Sequence, residues 1–202
     1  MEFVELSKIE QDTASEVINI GLAKAADSLS FFTKEEVIIK SSDFKLRKLD
    51  DSIKFSVESK KDVHVLTTLI KGKMEGACFL IFEDDDAEKL YTTTLSPEIL
   101  SDPEKKEAMA PAIMLEVDNI VTAAVVTQFS NLLNYEIHGD VPHIERIPSA
   151  NLDANIREKL IGNEFFLSFQ TAFISKNLKI APQFVWTLDK KFTEGIKKLV
   201  NK

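Results

Sequence analysis

The chain has 202 residues, 44% hydrophobic and 29% charged, an ordinary globular composition long enough to bury one sizeable core without staples. Its single cysteine, Cys78, excludes an intramolecular disulfide framework and a cysteine-based zinc site. The net charge of −8 argues against nucleic acid as a partner, and the longest apolar run, residues 77–82, falls far short of the roughly 20 residues of a membrane span.

The acidic start, MEFVELSKIE, is unlike a basic signal peptide, so the expected location is cytoplasmic, with no membrane contact. Ser7 followed by Glu10 reads as a capping box, in which hydroxyl and carboxylate each satisfy a backbone N–H at a helix start. The helical pattern runs on to about residue 30. Strand-like stretches follow at 36–40 and 52–57. The runs 63–70 and 77–82, with Gly72 and Gly76 between them, predict a hairpin. Glu83, Asp84, Asp85 and Asp86 then cap a short helix over 87–95. Asp102 and Pro103 open a second long helix, proline suiting the first turn. Its pattern runs to about residue 134, and Pro111 predicts either a kink or two helices meeting there. Short strands are expected over 135–138 and 143–147, then an irregular loop over 149–155. The runs 164–175 and 178–188 predict a second hairpin turning near Lys176 and Asn177. Asp189 caps a last helix over 190–200.

Each half therefore reads as long helix, strands, hairpin, short helix. The expected fold is α+β: one domain of two structural repeats, about 1–100 and 101–202, related by a pseudo-twofold axis. Its long helices would lie on a mainly antiparallel sheet.

Two pairs of polar residues stand in the same register of the two long helices. Glu16 and Asn19 lie three apart on the first, Glu116 and Asn119 three apart on the second, and no other Glu-x-x-Asn occurs in the chain. At 3.6 residues per turn, Glu16 and Asn19 share a face with Asp12 and Ala23. Ala14, Ile18, Gly21, Leu22, Ala25 and Leu29 form the opposite, apolar stripe. On the second helix Glu116 and Asn119 face away from Met114, Val121, Val125, Phe129 and Leu132. Asp118 falls inside that apolar arc, where it would pair across the twofold axis or mark a rotation of the helix. A glutamate and an asparagine on an open helix face are usually solvated decoration. Asparagine, however, weakens a helix interior by competing for backbone hydrogen bonds, and finding it twice in the same company points to a use.

Other clusters carry less. The acidic run 83–86 lacks the glycine and spaced ligands of a calcium loop. His64, His138 and His143 are scattered, the latter two meeting at most across a hairpin. Cys78 reads as a small core residue, and Phe165, Phe169, Phe173, Phe184 and Trp186 as sheet packing. Lys190, Lys191, Lys197, Lys198 and Lys202 read as the solvated face of a terminal helix.

On Asp12, Glu16, Asn19, Gly21 and Leu29, and again on Met114, Glu116, Asn119 and Ile120, the chain resembles the CheC family of chemotaxis phosphatases. The family motif is Asp or Ser, three residues, Glu, two residues, Asn, and a proline further on. The first copy has Asp12, Glu16 and Asn19 but Ser41 and Ser42 at the proline position. The second has Glu116, Asn119 and Pro142 but Ala112 at the Asp/Ser position. The residue before each asparagine, often glycine in relatives, is Ile18 or Asp118. The resemblance implies a phosphatase that accelerates hydrolysis of the aspartyl phosphate on a CheY-type response regulator. Glu16, Asn19, Glu116 and Asn119 would be catalytic: each asparagine holds the attacking water and each glutamate binds the regulator's lysine. It implies no cofactor on this chain, Mg²⁺ being supplied by the regulator. The implied partner is the phosphorylated CheY-type regulator; related proteins also bind the deamidase CheD. Two alternatives are a non-catalytic regulator-binding module akin to flagellar switch proteins, expected to lack the Glu-x-x-Asn pairs, and a dimerising CheX-type relative, expected to carry one pair per shorter chain.

Overall fold

Ser7 and Glu10 close the expected box. The Ser7 N–H donates to Glu10 Oε2 at 2.6 Å, and the Glu10 N–H reaches Ser7 Oγ at 3.4 Å. Helix α1 (Lys8–Thr33) starts there and ends at Lys34, which is left-handed at φ 57°. The computed structural model describes residues 6–48, 54–58, 60–160 and 165–201. After α1 come β1 (Ile38–Lys48), β2 (Asp62–Gly72), β3 (Gly76–Glu83), α2 (Asp84–Thr94) and a single turn, α3 (Pro97–Leu100). The second half holds α4 (Pro103–Leu133), β4 (Ile137–Gly139), β5 (His143–Pro148), α5 (Leu152–Glu158), β6 (Phe165–Ile174), β7 (Lys179–Ile180), β8 (Gln183–Leu188) and α6 (Lys190–Val200).

All described pairings are antiparallel, in the order β1-β6-β8-β3-β2-β4, with β5 also on β2 and β7 on β6. Both expected hairpins are present, as β2 with β3 and β6 with β8. The order reads the same when the two halves of the chain are exchanged. β1 from the first half crosses to β6 of the second, and β4 and β5 cross back to β2 of the first. β3 and β8 lie side by side in the middle. Neither half completes a sheet alone.

The alternation of side chains along these strands divides the interior in two. Leu66 and Ile70 of β2, Cys78, Leu80 and Phe82 of β3, and Phe184, Trp186 and Leu188 of β8 face the helix layer of α1, α2, α4 and α6. Val63, Val65, Ala77, Phe79, Ile81 and Val185 face the other way, onto Phe55, Leu152 and Ile156. The central strand β3 is covered on both faces, which is why residues 77–82 read as an unbroken apolar run. Gly72 ends β2 with φ +116°, and a Cβ there would lie 2.2 Å from the Glu136 carbonyl oxygen. The entry to β4 passes too close for any side chain, and it is fixed by the Lys73 N–H donating to that same carbonyl.

Several expectations need correction. Pro111 does not divide the second helix: α4 runs through it unbroken. Pro111 and Glu107 are both exposed, so water can serve the Glu107 carbonyl that loses its helical donor. The stretch 149–155 is a 3₁₀ turn (Ser149–Asn151) leading into α5, whose Leu152 and Ile156 cover the second face of the sheet. Of the expected strand 52–57, residues 52 and 53 lie outside the described residues and 54–57 are not strand, though Phe55 is buried. On α4, Leu133 is buried and Leu132 is not. The acidic run 83–86 starts α2, but Glu83 makes no capping bond through its side chain. Asp84 instead takes Arg146 bidentately at 3.2 and 2.7 Å and His64 Nε2 at 3.0 Å, and Asp86 accepts the Ala181 N–H at 2.7 Å. These carboxylates tie β5, β2 and β7 to the start of α2. Arg146 first, then His64, holds Asp84 below the usual carboxylate range, while burial lowers the His64 pKa against the pull of Asp84. His138 and His143 do not meet: their strands each pair with β2, opposite Lys71 and Thr67. The side chains of Phe165 and Phe169 lie outside the described residues, whereas Phe173, Phe184, Trp186 and Cys78 are buried as expected.

Candidate functional site

The apolar stripe of α1 is seated on the sheet and on α4. Ala14, Val17, Ile18, Gly21, Leu22, Ala25 and Leu29 are all buried. Rotation about the axis then leaves Asp12, Glu16, Asn19 and Ala23 exposed on the far side. α4 begins at Asp102, whose carboxylate accepts the Lys105 N–H at 3.3 Å, with Pro103 in its first turn. Met114, Val117, Val121, Val125 and Phe129 are buried, and Ala112, Glu116, Asn119 and Ala123 are exposed. All four predicted site residues therefore stand on open helix faces, each asparagine followed one turn later by alanine.

The two helices cross in contact. A Cβ at Gly21 would lie 2.8 Å from Val125 Cα, so glycine is what allows the backbones to approach so closely. Further along, Phe31 shares an open depression with Glu116 and Ile120. Position 21 beside 125 and position 31 beside 116 mean that the helices run antiparallel. The Glu16–Asn19 and Glu116–Asn119 pairs consequently lie on opposite sides of the crossing, the two glutamates roughly 20 Å apart along the helix direction at 1.5 Å per residue. They form two separate faces.

Asp118, next to Asn119, does not mark a rotated helix: it pairs with a strand of the other half of the chain. It is fully buried, accepting the Thr68 hydroxyl of β2 at 2.6 Å, with the Thr122 hydroxyl 3.5 Å away. Thr122 Oγ1 also lies 3.3 Å from Cys78 Sγ. Burial pushes the Asp118 carboxyl up to about 6, against the opposing pull of the Thr68 and Thr122 hydroxyls. This clamp fixes the rotation of α4 on the sheet, and with it the direction in which Glu116 and Asn119 point. The equivalent position of α1, Ile18, makes the same seat with packing alone. The only sequence signal for the clamp was a carboxylate in an apolar arc.

Among the described residues no group of three or more His, Cys, Asp or Glu side chains is placed to hold a metal ion. α4 is long and apolar enough to cross a bilayer by composition, and Met114, Val117, Val121, Val125 and Phe129 on one side of it are buried in the core.

No protein-family model matches the chain, and no curated protein matches it in sequence. Solved structures do match in fold. Thermotoga maritima FliY superposes with a TM-score of 0.73 at 15% identity, covering 97% of this chain and 98% of that one. FliM in the FliM–SpeE complex from H. pylori gives 0.59 at 12% identity over 96% and 97%. The CheX–CheY–BeF3–Mg complex from Borrelia burgdorferi gives 0.54 at 16% identity over 86% and 98%. Over nearly its whole length, the chain has the α+β fold seen in FliY, CheX and the FliM middle domain.

Proposed function

We propose that this protein accelerates hydrolysis of the aspartyl phosphate on a CheY-type receiver domain, through Glu16 and Asn19 on one face and Glu116 and Asn119 on the other. The observation that carries the reading is the pairing itself: the chain's two Glu-x-x-Asn sequences are both exposed, at matching positions of two antiparallel helices. An exposed helix face without a pocket suits this chemistry, because the phosphate sits in the partner's cleft. Phosphoryl transfer depends on positioning and charge stabilisation more than on covalent participation. Mg²⁺ and a lysine belong to the receiver. The asparagine amide both donates and accepts, so it can hold a water in line with the phosphorus. The water oxygen bonds to phosphorus as the bond from phosphorus to the aspartate oxygen breaks. The electron pair returns to the aspartate as carboxylate, and both protons of the water leave on the phosphate as dihydrogen phosphate. The glutamate pairs with the receiver's lysine and sets the helix in register. Such a protein acts in the cytoplasm, with receivers. CheD is proposed as a second partner.

The test is the lifetime of aspartyl phosphate on purified receiver domains, starting with one encoded nearby in the genome. The reading predicts a shorter lifetime with catalytic amounts of this protein and Mg²⁺. The alternative, a non-catalytic receiver-binding module, predicts stoichiometric binding with the lifetime unchanged or extended.

A further inference from the structure

Phe31 is the most exposed large apolar side chain among the described residues, 89% accessible on the last turn of α1. The antiparallel crossing sets it in one depression with Glu116 and Ile120 of α4 and with half-buried Phe32, while Lys34 stands at the rim. An isolated exposed apolar residue needs no explanation. This one lies beside the carboxylate proposed to enter a receiver, so a partner that takes up Glu116 must also cover Phe31.

The other face differs at this point. Both long helices end on a left-handed residue, Lys34 and Asn134. One turn earlier, Ser30 Oγ accepts the Val37 N–H and Ser130 Oγ donates to the Tyr135 carbonyl, each serine holding the chain that leaves its helix. Positions 31 and 131 therefore correspond, and 131 is asparagine, in a hollow lined by Ser130, Asn134, Tyr135 and Glu136. We infer that Phe31 is the docking residue of the Glu116–Asn119 face, so that a receiver domain binds that face more tightly than the Glu16–Asn19 face. The inference rests on the reading that both faces meet a receiver domain. Large apolar side chains at the centre of an interface carry most of its affinity, and an asparagine there does not substitute for one.

The test is calorimetric titration with a CheY-type receiver domain from the same genome, loaded with beryllofluoride and Mg²⁺, with each face blocked in turn by Glu16→Lys or Glu116→Lys. With the first face blocked, Phe31→Asn should weaken binding about tenfold or more, and Phe31→Trp should restore most of it. With the second face blocked, Phe31→Asn should change affinity less than about twofold. Asn131→Phe should tighten the first face. Unchanged melting temperatures would exclude a folding effect. Equal weakening in both backgrounds, or none with the first face blocked, overturns the inference. Binding without a shortened phosphate lifetime defeats the phosphatase reading alone, since the affinity comparison still decides the role of Phe31. Absence of any binding by the unmodified protein overturns both.

Discussion

Asp118 shows how much one buried carboxyl can reveal. Its folded pKa, about 6, lies above the ordinary 3.8, so the fold favours the neutral acid. That contribution is fully present below about pH 4 and is lost as pH rises through about 6, by roughly 2–3 kcal/mol from the size of the shift. By denaturant titration, the stability of the unmodified protein relative to Asp118→Asn should therefore fall between pH 4 and 7. Asp118→Asn should raise stability at pH 7. A difference independent of pH would mean that Asp118 does not carry it. The exposure of Glu16, Asn19, Glu116 and Asn119 could be read from helical period alone, because each stands opposite a continuous apolar stripe. The partner of Asp118 could not: Thr68 lies fifty residues away, on a strand whose register the sequence leaves open.

The crossing of α1 and α4 depends on Gly21. Alanine there gains helix propensity, worth up to about 1 kcal/mol, but its Cβ meets both Val125 Cα at 2.8 Å and Cγ2 at 2.9 Å. Because backbone is one of those atoms, the helices must separate, and Gly21→Ala should cost about 1–2 kcal/mol net in urea unfolding. Adding Val125→Ala should fail to restore the loss, since Val125 Cα remains in the way. A stabilised Gly21→Ala would show that the crossing is looser than described. Both long helices and both hairpins were legible from capping residues and apolar period. α5 was not. It spans seven residues, has no side-chain cap, and is held by burial of Leu152 and Ile156 and by the Asp153 carboxylate accepting the Phe55 N–H. None of these is a local signal. At Pro111 the sequence left two outcomes open, a kink or two helices, and the helix continues through it, the exposed Glu107 carbonyl being open to water.

The halves are interlocked through one sheet, since β1 and β5 each complete the other half's hairpin. Residues 101–202 expressed alone should therefore show no cooperative unfolding transition by circular dichroism, having lost β2 and β3. A folded fragment would contradict that dependence. Interlocking also sets the two Glu-x-x-Asn faces on one antiparallel helix pair, on opposite sides of the crossing. The most direct measurement is the rate of aspartyl-phosphate loss from a receiver domain with the unmodified protein and with Asn19→Ala plus Asn119→Ala. Exposed positions such as these should alter stability by no more than about 0.5 kcal/mol, so the fold serves as its own control. The account predicts that the double variant loses roughly a hundredfold or more of the acceleration, leaving the receiver's own rate. Hydrolysis as fast as with the unmodified protein would show that neither amide positions the water.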